Sequence, residues 1–148
     1  MSEYEFTVSL RIRHPTIDPQ TISDTLGIQP LHTWRAGRPR CDPAGTEIGG
    51  AHHDSYWMAR LMENPQLSSD GVSVERVIVT TLSQLRRAQT FLEQLHAEGG
   101  LAALLVSLYA RADFRLELPA DSLTLLGRMH MAVVLDVHPH SPLEARQN

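Results

Sequence analysis

Lysine is absent from the 148-residue chain: all 13 basic residues are arginine. This excludes a Schiff-base lysine, a phosphate-loop lysine and a lysine general base, whatever else the protein does. A GC-rich genome is a sufficient source of the bias. Cysteine is nearly absent as well. Cys41 has no second cysteine with which to close an internal disulfide, and no basic and then apolar leader opens the chain, so a reducing cytoplasm is the expected setting. No apolar run approaches the roughly 20 residues needed to span a bilayer, and a soluble protein without a membrane partner is expected. Excess positive charge is lacking too. A net charge of −4 and a pI near 6.0 do not fit a general nucleic-acid binder, although a local basic patch is compatible with both.

What is present suits one domain, expected over residues 1–138 with a frayed tail at 139–148. YEFTVSLRIR alternates strictly, with Tyr4, Phe6, Val8, Leu10 and Ile12 on one face and polar residues on the other, the pattern of a strand with one wet face. Asp18 is placed as an N-cap, Pro19 as the first helical residue and Gly27 as a stop, which predicts a short helix from Pro19 to Leu26. LHTWR (31–35) and SYWMARL (55–61) read as strands. The Gly/Pro-rich stretch between them reads as a long loop, of a length that is usually functional or disordered. A second polar loop, ENPQLSSDG, follows.

From Ser73 to about Ala97 the apolar residues Val74, Ile78, Leu82, Leu85, Ala88, Leu92 and Leu95 fall at helical spacing, and Gly99-Gly100 ends the run. LAALLVSLYA (101–110) is apolar on both faces, as a central strand is. FRLEL (114–118) alternates and is expected to extend the sheet. A helix from Pro119 to Leu126 closed by Gly127 then leads to a last strand, MHMAVVLDV, with Met131, Val133, Leu135 and Val137 inward. The order β-α-β-β-α-β-α-β predicts an α+β fold: an antiparallel or mixed sheet of about five strands, covered mainly on one face by helices.

Several of these segments together resemble a known family. SLRI followed by IDPQTISDTLGIQP, then WRAG, YWMA and the closing LTLLGRMHMAVVLDV, is similar to the DUF4279 family of small bacterial proteins of unknown function. The resemblance runs from about Tyr4 to Val137 and is most specific at DP-x-x-I-x-x-x-LGI-x-P, Asp18 to Pro30. The last strand departs from the family pattern, carrying Asp136-Val137-His138 where an aspartate closely followed by tyrosine is frequent. The resemblance implies the fold; it brings no activity, cofactor or site residues. The Asp18–Pro30 motif also has a complete structural reading as a capped, packed helix.

Candidate chemistry is sparse. His52, His53, Asp54 and Cys41 together suggest a divalent-metal site, but adjacent histidines on an extended chain diverge and no H-x-x-x-H or C-x-x-C spacing completes a ligand set. A solvated loop ending in a turn-forming Asp54 accounts for AHHD better, and no metal or other cofactor is expected. His138 and His140 form an H-x-H pair on the tail, too mobile to be a strong ligand set. Arg38 and Arg40 can lower the pKa of the Cys41 thiol, yet no local motif places a base beside it, and catalysis is not expected.

The feature that stands out is WRAGRPR. Trp34 with Arg35, Arg38 and Arg40 can clamp a carboxylate or phosphate while the indole stacks on a ligand. The plainer reading, and the stronger expectation, is a solvated loop in which Trp34 packs on the sheet and the arginines cover its edge. The leading functional expectation is a non-enzymatic binding module, immunity- or adaptor-like, with an unidentified protein partner. The alternative is a small-molecule enzyme or sensor that binds an anionic ligand at the Trp34–Arg40 loop.

Overall fold

A computed structural model describes residues 4–62, 67–68, 71–110 and 112–139. Along the chain these form β1 (Glu5–His14), α1 (Pro19–Leu26), β2 (His32–Trp34), β3 (Pro39–Cys41), β4 (Glu47–Ala51), β5 (Ser55–Arg60) and β6 (Leu67–Ser68). Next come α2 (Val74–Leu85), a 3-10 turn (Arg86–Ala88), α3 (Gln89–Ala97), β7 (Leu101–Tyr109), α4 (Ala120–Arg128) and β8 (Met131–His138). The main sheet has the order β2-β5-β1-β7-β8, with the two-residue β6 also paired to β1. Its strands are antiparallel except β7 and β8, which run parallel. The fold is α+β, as the sequence predicts, with β3 and β4 forming a separate two-stranded sheet.

The alternation of β1 organises the whole molecule. Phe6, Val8, Leu10 and Ile12 are fully buried, and the register aligns them with Leu108, Val106, Leu104 and Ala102 of β7. Trp57 and Ala59 of β5 join the same face. Ile22 from α1, Val74, Ile78, Leu82 and Leu85 from α2, Leu92 and Leu95 from α3 and Leu126 from α4 complete this core. Burying each such side chain contributes about 1.5–3 kcal/mol, so the helical cover is where the fold gains its stability.

The local signals at α1 act as the sequence predicts. The Asp18 carboxylate accepts the Gln20 N–H at 3.0 Å, and Gly27 closes the helix in the left-handed region at φ 68°, its N–H donating to the Ser23 carbonyl. Ser73 likewise caps α2 through the Arg76 N–H.

Other expectations are corrected. The continuous helix from Ser73 to Ala97 is interrupted by the 3-10 turn at Arg86–Ala88; that turn preserves enough of the helical phase for Leu92 and Leu95 to remain buried, which is why the stripe runs unbroken through it. FRLEL is not a strand. The flank of β7 away from β1 is taken by β8, and a parallel pair needs a crossover; residues 114–118 serve as part of it, with Phe114, Leu116 and Leu118 packed on the core and the Glu117 N–H donating to Glu75 Oε1.

Gly127 does not stop α4. It lies on the exposed side of the last turn, the helix continues to Arg128, and the chain reverses at His130 with φ 54°, which sets Met129 fully inside the core. On β8, Met131, Val133, Leu135 and Val137 do share the covered face by register, but the cover ends early: Leu135 and Val137 are 49% and 59% exposed. Leu26 is only half-buried. Within the second polar loop, Leu67–Ser68 is a short strand. The tail from residue 140 onward, including His140, lies outside the described residues.

Candidate functional site at Trp34

The stretch expected to be a long loop is a folded arm. Arg35 to Arg38 form a turn, with the Arg38 N–H donating to the Arg35 carbonyl at 3.1 Å and Gly37 at φ 81°, a value that favours glycine at the third position of a type II turn. The chain then pairs with itself as β3 and β4. The Gly37 N–H donates to the His52 carbonyl, and the His52 N–H returns to the Arg38 carbonyl. At the tip, Asp42 Oδ1 accepts the N–H groups of Ala44 and Thr46 at 3.0 and 2.9 Å, so the arm is held by backbone bonds and one carboxylate rather than by a core. All residues of β3 and β4 are exposed.

The base of this arm meets the face of the sheet that the helices leave uncovered. Cross-strand register sets Trp34 opposite Tyr56, Tyr56 opposite Arg13 and Arg13 opposite Leu101, one row across four strands. Trp34 stacks on Tyr56 with ring centroids 4.3 Å apart and on His52 at 4.8 Å. The Arg13 guanidinium sits 4.9 Å above the Tyr56 ring and donates to Asp54 at 3.3 Å. Such pairs contribute about 0.5–1.5 kcal/mol each beyond simple burial, enough to hold the arm against the sheet.

Arg35, Arg38 and Arg40 all line one cleft of about 510 Å³, together with Trp34, His52 and Cys41. Arg35 also reaches Asp18, the cap of α1, at 3.3 Å. Among the described residues Arg38 and Arg40 form no ion pair. A smaller cleft of about 320 Å³ lies on another side of Trp34, lined by Arg40, His52, His53 and Asp54. The indole Nε1–H of Trp34 is buried and lacks an acceptor among the described residues, a rare condition for a buried donor. The contrast with Trp57 is direct, since that indole donates to Ser23 Oγ at 2.9 Å.

The structure therefore brings Trp34 and the three loop arginines together. His52 and Asp54 border the same small cleft but have different partners: His52 stacks on Trp34, and Asp54 accepts from Arg13. Cys41 is exposed, with its Sγ 3.8 Å from the Pro39 carbonyl. No group of three histidine, cysteine or acidic side chains converges as a metal-ligand set among the described residues. His138 stacks on Tyr109 at 4.8 Å. Arg13, Tyr56 and His52 complete the Trp34 cluster and were not legible as members of it. The alternation of β1 puts Arg13 on the wet face, but only the strand order joins it to Trp34.

No helix among the described residues is long and apolar enough to cross a membrane. No curated protein and no solved structure matches the chain. A family model described as "Domain of unknown function (DUF4279)" matches residues 3–140, nearly the whole sequence, and the chain belongs to that family.

Proposed function

We propose that the protein is a non-enzymatic binding module that captures an acidic segment of a partner protein at the cleft beside Trp34. One observation carries this reading: three arginines, two of them without an ion-pair partner among the described residues, line a single cleft walled by an aromatic stack. In a chain of net charge −4 such a concentration of positive charge is local, and it selects for anionic groups by contrast with the rest of the surface. Guanidinium groups bind carboxylates bidentately, which suits the side chains of aspartate and glutamate. The exposed arm supports a protein partner over a small molecule, because both β3 and β4 are accessible to a second chain.

The test is a nitrogen-15 amide titration with a ten-residue peptide of alternating aspartate and glutamate, run beside its asparagine and glutamine counterpart and beside inorganic phosphate. The acidic peptide is expected to shift the amides of residues 33–41 and 48–54, and the uncharged one to leave them in place. Equal shifts from both peptides would remove the electrostatic basis of the proposal. Saturation by phosphate at lower concentration than by the acidic peptide would favour the small-anion alternative.

A further inference from the structure

A large cavity lies away from Trp34, on the helical side. It occupies about 1020 Å³ between the C-terminal end of α1, Leu61 at the end of β5, and the stretch from Thr80 to Gln94 that contains the 3-10 turn. Its volume is at the upper end for a small-molecule site. Leu26, Ile28, Leu85 and Phe91 give it an apolar floor continuous with the core. Its walls carry hydroxyls from Thr80, Thr81, Ser83 and Thr90, the Gln84 amide and one charge, Arg87. Among the described residues no aspartate or glutamate lines it, although acidic residues outnumber basic ones in the chain, 17 to 13.

Thr81 distinguishes this cavity from a chance gap between helices. The residue is only 5% exposed and lines the cavity, yet its hydroxyl makes no hydrogen bond among the described residues. Thr25, on the opposite wall, shows the ordinary solution for a helical threonine, donating to the Thr21 carbonyl at 2.8 Å. That hydroxyl is open to the cavity, where a ligand can bond it in place of water. The 3-10 turn belongs to the same wall, since Arg87 and Ala88 within it both line the cavity, and a tightened turn inside a helical stretch often marks a functional position.

We infer that this cavity is a second ligand site, independent of the Trp34 cleft, for a small amphipathic monocarboxylate. The apolar body lies on Leu26, Leu85 and Phe91, a carbonyl or hydroxyl of the ligand bonds Thr81, and the carboxylate meets Arg87. A single guanidinium matches one carboxylate in charge and in bidentate geometry, whereas a phosphate monoester, near −2 at neutral pH, would leave charge uncompensated.

The probe is N-octanoylglycine, which has an apolar tail, an amide carbonyl and one carboxylate; N-octanoylglycinamide and octyl phosphate are the comparators. In amide-resolved titrations of the full chain, N-octanoylglycine should give saturable shifts at residues 25–28 and 80–94. Arg87→Ala should weaken it about tenfold, the scale of a lost charge-assisted bond. Thr81→Val, which keeps the shape, should weaken it severalfold. Arg35→Ala with Arg38→Ala should leave it unchanged, which separates this site from the proposed partner cleft. Shifts confined to the surroundings of Trp34, equal affinity in Arg87→Ala, or binding of the glycinamide or octyl phosphate as tight as the carboxylate would each overturn the assignment. Arg87 is exposed and should not be needed for folding; should Thr81→Val unfold, Thr81→Ser, which retains the hydroxyl, must bind as the wild type does.

Discussion

The two faces of the central sheet are built from the same strands but obey different rules. On the covered face the apolar inward residues of β1, Phe6, Val8, Leu10 and Ile12, are fully buried and packing accounts for their identity, while His14 at the strand's end is buried among hydrogen bonds to Glu98, Thr16 and Ile17. On the open face the same strands present Arg13, Tyr56 and, from β2, Trp34, partly exposed and joined by ring stacking and cation contacts. Nothing in the fold requires an arginine cleft and a hydrogen-bonded arm to be attached there. The difference separates residues that keep the chain folded from residues available for recognition.

Truncations in the covered face should sharpen that division most. Leu104→Ala and Leu85→Ala are expected to lower stability by about 2–5 kcal/mol in urea melts, because both side chains are buried and would leave cavities. Leu26→Ala should cost less than either, since Leu26 is half-buried at the edge of the large cavity. Losses of under about 0.5 kcal/mol at Leu104 or Leu85, the range of surface substitutions, would break the distinction between the faces.

Next in size is Ser23→Ala. The Ser23 hydroxyl is the acceptor for the buried Trp57 indole, and its removal leaves that donor unsatisfied at a cost of about 1–3 kcal/mol. An unchanged melt would show that the bond is dispensable. On the open face, Arg13→Ala should cost only about 0.5–1 kcal/mol, because its ion pair and its ring contacts are partly exposed. A loss as large as that of Leu104→Ala would make the Trp34 cluster a second core rather than a surface.

The same contrast explains what the sequence made legible. The α1 helix could be read because its signals are local: Asp18, Pro19 and Gly27 each act within a turn of where they stand. The covered face of β1 could be read because burial imposes a period of two. The arm could not, since β3 and β4 bury nothing and so show no apolar alternation. Asp42-Pro43-Ala44-Gly45 did carry a turn signature, with aspartate first, proline second and glycine fourth, and that was the available clue to a hairpin. WRAGRPR was visible as a cluster of cations beside an aromatic. Its partners Arg13, Tyr56 and His52 were not, because they come from other segments and meet Trp34 only through register and the arm's fold. The large helical cavity was invisible for a similar reason: its walls come from α1 and from Thr80–Gln94, whose contact depends on how both lie over the sheet.

The most direct test of the division between the two faces is an equilibrium titration of wild type and the Arg35→Ala/Arg38→Ala double variant with the acidic decapeptide, each protein first melted under the same conditions. The two arginines are exposed, so their replacement should shift stability by no more than about 0.5 kcal/mol each. The predicted result is an affinity lowered at least about tenfold at nearly unchanged melting temperature, the loss of charge-assisted bonds without loss of packing. Equal affinity in the two proteins, or a loss of binding that comes with a collapse in melting temperature, would contradict it.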